Sequence, residues 1–170
     1  MVRESHSKEF HTIDEVRILR IDGSWKTKSG GHLEVMLALP QEEVIAFLDY
    51  NNPAFDKVPH NLRGLRVYTV KDIPEGAIGA NEWHKIRTEV ITVIDGRATL
   101  RCVDMTGQER EFYLDGNQSI VIPPTLMHTY HATENRTRLQ VITNTLFDPN
   151  DPSTQDTFSM EEFVSSSLHL

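Results

Sequence analysis

Between residues 76 and 124 the chain is cut at short, regular intervals by turn pairs: Asp95-Gly96, Thr106-Gly107, Asp115-Gly116 and Pro123-Pro124. Glycine reaches left-handed backbone angles and proline fixes φ while removing a donor, so each pair favours a tight reversal. The segments VITVI, ATLRCVD, REFYL and SIVI are rich in β-branched and aromatic residues and too short for long helices. Further strands read as EVRILRI, HLEVMLAL after the turn-like KTKSGG, LRVYTV, TYHAT and RLQVITNTLF. A chain punctuated this way pairs antiparallel neighbours, and an all-β sandwich or barrel is expected rather than a β/α alternation. QEEVIAFL fits a short helix or a strand, residues 51–59 read as a loop, and SMEEFVSS reads as one terminal helical turn capped by Ser159. Residues 1–170 form one domain in this reading, with the barrel over about 64–147 and flexible ends at 1–12 and 150–170.

The 170 residues are enough to bury a substantial core. A formal charge of −8 argues against nucleic acid as a partner, because a phosphate backbone selects a basic surface. An anionic small molecule stays open, since a few local arginines bind phosphate whatever the global charge. Cys102 is the single cysteine, so no internal disulfide forms, and its strand-like flanks make it a buried thiol rather than a nucleophile. The N-terminus lacks an apolar signal core and no run approaches membrane-spanning length, so a cytoplasmic protein with no membrane partner is expected.

The run GAIGANEWHKIRTEVITVIDG carries the chemistry. Glu82 and His84 are two apart, which on a strand places both on one face with Trp83 on the other. Glu89 opens the next apolar stretch, and His128 follows in PPTLMHTYH. Histidine and carboxylate from neighbouring strands, aimed into one cavity, suit zinc or another divalent transition metal.

These segments resemble the paired motifs of the cupin superfamily, in the branch similar to RmlC. Gly76, Glu82-Trp83-His84, Glu89 and Gly96 match the first motif, and Gly116, Pro123 and His128 the second. Glu82 stands where a histidine is usual, and Thr125 replaces the glycine usual in the second turn. The resemblance implies a double-stranded β-helix, or jelly-roll barrel, with little helix. NEWHKIRTEVITVIDGRATLRCVD, SIVIPPTLMHTYHATEN and LFDPNDPSTQDTF look like the C-terminal cupin domain of capsular-polysaccharide epimerase/reductases, whose reductase domain is absent here. Arg66-Val67-Tyr68, His84-Lys85 and the turn from His128 to His131 are similar to motifs of dTDP-sugar 3,4-ketoisomerases. Those enzymes usually carry glutamine where this chain has Glu89, which favours a metal here.

The resemblance implies an isomerase or epimerase of a nucleotide-activated keto-sugar, in polysaccharide or deoxysugar biosynthesis, acting by proton abstraction beside a carbonyl. A divalent metal, zinc first with iron, manganese or nickel as alternatives, is expected on His84, Glu89 and His128, with Glu82 as a fourth ligand. His84 or Glu82 is the candidate base and Tyr130 or Tyr68 the proton donor, with Arg66, Arg87, His131 and Lys85 as candidate substrate contacts. Strand parity puts Tyr130 on the His128 face and His131 on the opposite one, at the rim or surface. His6, His11, His60 and His169 read as solvated, His32 has no evident partner, and the acidic tail reads as a solvated surface. A metal-dependent oxygenase and a non-catalytic sugar- or metabolite-binding module are the alternatives. The apolar N-terminal strands predict a homodimer in which they cover a partner's sheet edge.

Overall fold

A computed structural model describes residues 10–20, 23–48, 60–116 and 118–168. The predicted loop at 51–59, His6 and His169 lie outside the described residues. After a 3-10 turn at Ile13–Glu15, the strands run β1 (Arg17–Arg20), β2 (Ser24–Lys26), β3 (His32–Glu34), β4 (Arg63–Ile73), β5 (Ile78–Trp83) and β6 (Glu89–Asp95). They continue as β7 (Ala98–Val103), β8 (Glu109–Leu114), β9 (Gln118–Ile122), β10 (Met127–Ala132), β11 (Thr137–Thr145) and β12 (Phe158–Ser159). Two α-helices, α1 (Gln41–Leu48) and α2 (Met160–Ser167), and 3-10 turns at His60–Leu62 and Pro152–Thr154 complete the described elements.

The strands form two five-stranded antiparallel sheets, ordered β1-β9-β6-β11-β4 and β12-β5-β10-β7-β8, with β2 and β3 as a separate hairpin. This is the antiparallel barrel that the turn spacing implies, in the jelly-roll form that the cupin resemblance implies. Consecutive strands alternate between the sheets or pair across short turns, so the apolar faces close on one another. Ile91, Val93, Leu100, Leu114, Ile120 and Leu139 fill the interior, and Cys102 is fully buried among them with its thiol pushed up to about 12 by desolvation. A buried neutral thiol is no nucleophile, as its flanks imply.

Each sheet also carries a cover on its outer face. Phe47 of α1 packs with Val90 and Val121, which settles QEEVIAFL as a helix. Phe163 of α2 packs with Trp83, Met105 and Met127, and Ser159 caps that helix by accepting from Glu162 N–H. HLEVMLAL is a strand only at its start. β3 pairs with β2, and Leu37 beyond it joins the Phe47 cluster rather than extending a ladder. β1, from EVRILRI, is hydrogen-bonded to β9 of its own chain, so it is not a free arm.

Gly96 closes the β6–β7 turn at φ +75°, and a Cβ there would lie 2.5 Å from Thr137 Oγ1 and 2.9 Å from its Cα. Both the backbone angle and the close approach of β11 exclude a side chain. Gly96→Ala is expected to cost about 2–4 kcal/mol, from left-handed strain plus overpacking, read as a lower midpoint in urea with an unchanged slope.

Candidate metal centre and adjoining cavity

The site lies at the end of the barrel where β5 leaves its sheet and β6 begins. Antiparallel pairing sets Thr129 opposite Ala80 but His128 opposite Glu82, so Asn81 is an extra residue in β5. Ala80 and Asn81 take left-handed angles, φ +61° and +59°, and form the bulge. The bulge turns Glu82 onto the face that His128 occupies. On the opposite sheet, Glu89, Thr143 and Arg66 form one row across β6, β11 and β4, and Ile91, Val141 and Tyr68 form the row below. Arg66 and Tyr68 therefore face the interior.

The turn before His128 holds Thr125 at φ +66°, a strained angle for a β-branched residue. Its N–H donates to the His84 carbonyl at 2.6 Å, and its hydroxyl accepts from His11 N–H at 2.8 Å. The threonine in place of the usual glycine thus keeps the left-handed turn and adds an anchor for the N-terminal segment.

Four sequence-predicted residues converge. His84 Nε2 lies 3.4 Å from Glu89 Oε1 and 4.0 Å from Glu82 Oε1, and His128 Nε2 lies 3.4 Å from Glu89 Oε2. The two rings are 5.2 Å apart at their centroids. One ligand atom each from Glu82, His84 and His128 lies within 4.8 Å of the others. His84 Nδ1 donates to the Asp156 carbonyl at 2.5 Å and His128 Nδ1 to the Leu126 carbonyl at 3.2 Å. With Nδ1 donating to a carbonyl, each ring leaves Nε2 for the centre, and a ring in its neutral form would present the Nε2 lone pair that a metal needs. Both Nε2 atoms are buried without a hydrogen-bond partner. In a tetrahedral shell of radius about 2.1 Å the ligand atoms are about 3.4 Å apart, the separation Glu89 keeps from both imidazoles. This donor set fits a divalent metal, and the described residues hold a Glu/His/His cluster able to bind one.

Glu89 is the most deeply buried acid of the group, 2% exposed. Burial alone would raise its pKa, but attraction from His128 and His84 prevails and holds it well below the carboxylate range. Burial would lower His128, yet Glu89, Glu82 and the Leu126 carbonyl raise it instead. Arg87 Nη1 donates to Glu89 Oε1 at 3.3 Å, and Tyr68 O–H reaches the same oxygen at 3.5 Å.

Beside the centre opens a cavity of about 310 Å³ lined by Arg66, Tyr68, Glu82, Arg87, Phe147 and Thr157. Arg66 lies 5.0 Å from the Tyr68 ring centroid and 5.5 Å from that of Phe147, with its Nε buried and unpartnered. Arg87 belongs to the wall, but its guanidinium is committed to Glu89, the Asp156 carbonyl and Thr157 Oγ1.

Two predicted substrate contacts and one predicted proton donor fall elsewhere. Lys85, in the turn after β5, packs its ammonium 4.2 Å from the Phe158 ring centroid and 5.7 Å from that of Trp83, and it does not line the cavity. His131 is exposed on the outer face of β10, opposite Ile78 and Thr99. Tyr130 shares the His128 face but lies over Gly79, where a Cβ would sit 2.2 Å from its ring, and it does not line the cavity. The tail also departs from expectation. Asp156 is buried rather than solvated, and Thr157 and Phe147 line the cavity. Their signal in sequence was the closing FDPNDPSTQDTF segment. Of the remaining histidines, His11 pairs with Glu15 at 2.9 Å, His32 bonds Ser24 at 2.5 Å on the exposed hairpin, and His60 is exposed.

The comparisons agree with this architecture. The family profile described as cupin matches residues 54–169, and the chain belongs to the cupin family. None of the curated proteins matches the sequence significantly. A crystal structure of a 3,4-ketoisomerase from Helicobacter canadensis is similar at TM-score 0.64 and 16% identity, covering 93% of this chain and 99% of that one. A sugar 3,4-ketoisomerase from Thermoanaerobacterium thermosaccharolyticum in complex with TDP is similar at TM-score 0.62 and 15% identity, covering 93% and 98%. A variant of that enzyme in complex with TDP-4-keto-6-deoxyglucose gives TM-score 0.60 and 15% identity, covering 91% and 94%. Among the described residues no helix is long and apolar enough to cross a membrane.

The raised His128 pKa sets a pH dependence for metal-free protein. The folded state binds the His128 proton more tightly than the unfolded state, so this stabilisation is full below the unfolded value and fades as pH rises through the folded one. Chelator-treated protein should melt lower at about pH 9 than at about pH 6, and His128→Asn should flatten that difference in a thermal melt.

Proposed function

We propose that this cupin is an isomerase or epimerase of a nucleotide-activated keto-sugar. The observation that carries the reading is a cluster of Glu82, His84 and His128 able to hold a metal, whose Glu82 also lines a cavity that presents a phenol and a guanidinium. The ketoisomerase neighbours, one bound to TDP and one to TDP-4-keto-6-deoxyglucose, support the substrate class. His84, Glu89 and His128 would hold the ion, zinc first, with Glu82 adjoining. A divalent ion bound there supplies an electrophile for a substrate carbonyl.

The chain's own groups divide the remaining work. Glu82 is half-exposed on the cavity and is the base that takes the proton beside the carbonyl. Glu82 is favoured over His84 for that role, since His84 Nδ1 is committed to Asp156 and its Nε2 faces Glu89. Burial and the Glu89 charge raise the Tyr68 pKa, which keeps its phenol protonated and suited to return a proton. Arg66, between two rings on the cavity wall, pairs with the diphosphate at the mouth. About 310 Å³ is at the small end for ligand sites, so the sugar ring occupies the cavity and the nucleotide lies outside. The exposed Leu65 and Val67 on β4, an edge strand of its sheet, support a homodimer through that edge.

A matched keto-sugar nucleotide in heavy water should gain deuterium at the carbon beside its keto group. Glu82→Gln should slow that exchange about 10²-fold or more with substrate affinity nearly kept, and Tyr68→Phe should impair proton return more than binding. No exchange across a broad panel would remove the isomerase reading. Iron-dependent oxygen uptake would then favour an oxygenase, and a ligand-induced melting shift alone a binding module. A monomer in light scattering at micromolar concentration would remove the dimer.

A further inference from the structure

Five hydrogen bonds converge on Asp156, a tail residue that does not line the cavity. Its carboxylate accepts from the backbone N–H groups of Lys85 at 2.9 Å, Ile86 at 3.3 Å and Arg87 at 3.0 Å. Its own carbonyl accepts from His84 Nδ1 at 2.5 Å and Arg87 Nη2 at 3.3 Å. We infer that Asp156 is the positioning residue of the metal centre: its carboxylate locks the turn between β5 and β6, and its carbonyl thereby fixes the His84 tautomer and the Arg87 guanidinium.

The turn that follows β5 needs such a clamp. Between Trp83 and Glu89 no strand ladder pairs the backbone, and three successive N–H groups point to one place. Successive N–H groups form a cradle for an anion, which a buried carboxylate from the same chain fills. Once the carboxylate is seated, the Asp156 carbonyl can meet only His84 and Arg87. A carbonyl accepts and never donates, so His84 Nδ1 must carry the proton and Nε2 must face Glu89. Thr157 Oγ1, accepting from Arg87 Nη2 at 2.8 Å, extends the same clamp by one residue. The alternative is that Asp156 only fastens the tail. Fastening is separable, because α2 is capped independently at Ser159, whose hydroxyl accepts from Glu162 N–H at 3.3 Å.

Asp156→Asn keeps the shape but replaces one acceptor oxygen with a donor. Imidazole nitrogen-15 spectra of metal-free wild type, recorded above the histidine titration range, should show His84 as the Nδ1–H tautomer, assigned with His84→Asn. In Asp156→Asn the ring should revert toward the Nε2–H form that free imidazole side chains prefer. Titration with cobalt(II), which rests on the metal reading above, should show affinity about 10–100-fold weaker than wild type. Ser159→Ala should lower the melting temperature and leave both tautomer and cobalt affinity unchanged. Asp156→Glu, which keeps the charge but displaces it by one methylene, gives the same readouts where the asparagine variant does not fold. An unchanged His84 tautomer in a folded Asp156 variant would overturn the inference, as would an equal change in Ser159→Ala. A wild type that takes up no cobalt would count against the proposed metal centre, while the tautomer would still decide the role of Asp156.

Discussion

A carboxylate 2% exposed at the end of the barrel is the constraint around which the site is built. An ion removed from water loses several kcal/mol of solvation, and a lone Glu89 would neutralise itself by taking a proton. It does the opposite because four groups face it: the two imidazoles at 3.4 Å, Arg87 at 3.3 Å and the Tyr68 hydroxyl at 3.5 Å. Each charge-assisted hydrogen bond returns about 1.5–3 kcal/mol, so several are required before burial is tolerated. Arg87 and Tyr68 supply two, and a protonated His128 adds its charge while no metal is bound. Every partner then needs its own support. His84 and Arg87 find it in the tail, His128 in the Leu126 carbonyl, and Tyr68 in the inner face of β4. Removing one partner leaves the others with an uncompensated charge, so the centre behaves as a unit.

The same barrel is apolar over the rest of its interior. Leu100, Leu114, Ile120 and Leu139 come from four strands of both sheets and leave no polar atom to satisfy. The change from apolar to polar follows strand position. Along β6 the inward row passes from Val93 through Ile91 to Glu89, and along β4 it runs from Val70 and Tyr68 to Arg66. A rigid packed end can therefore hold the polar end in register, which is what a site built on strands rather than loops provides.

Much of this was legible in the sequence, for identifiable reasons. Turn pairs and β-branched runs disclose an antiparallel barrel because the period of a strand is local information. Glu89 and His128 were legible because each sits on a regular strand whose parity can be counted. Glu82 is subtler. Its alignment with His128 depends on a bulge made by Ala80 and Asn81, neither a glycine, and nothing local announces left-handed angles there. Lys85 and His131, offered as substrate contacts by motif likeness, lie away from the cavity, and their own parity already pointed outward. Asp156 is at the opposite extreme. It meets His84 from 72 positions away, and only the folded chain brings a tail carboxylate to a turn whose amides have no other partner.

Charge at the cavity reconciles an acidic protein with the anionic ligand proposed for it. The whole chain carries a formal charge of −8, which would repel a diphosphate in bulk solution. At the cavity, however, the cations Arg66 and Arg87 balance the anions Glu82 and Glu89. The raised His128 adds a further proton while no metal is bound. A divalent ion would displace that proton and add its own charge, because a ligating imidazole must be neutral. The loaded centre would then be doubly positive within a low-dielectric wall, where charges act more strongly than at the surface. Arg66 lines the cavity beside that centre, flanked by the rings of Tyr68 and Phe147. Its field is directed at whatever enters, so attraction for an anionic group is local and is compatible with the acidic surface around it.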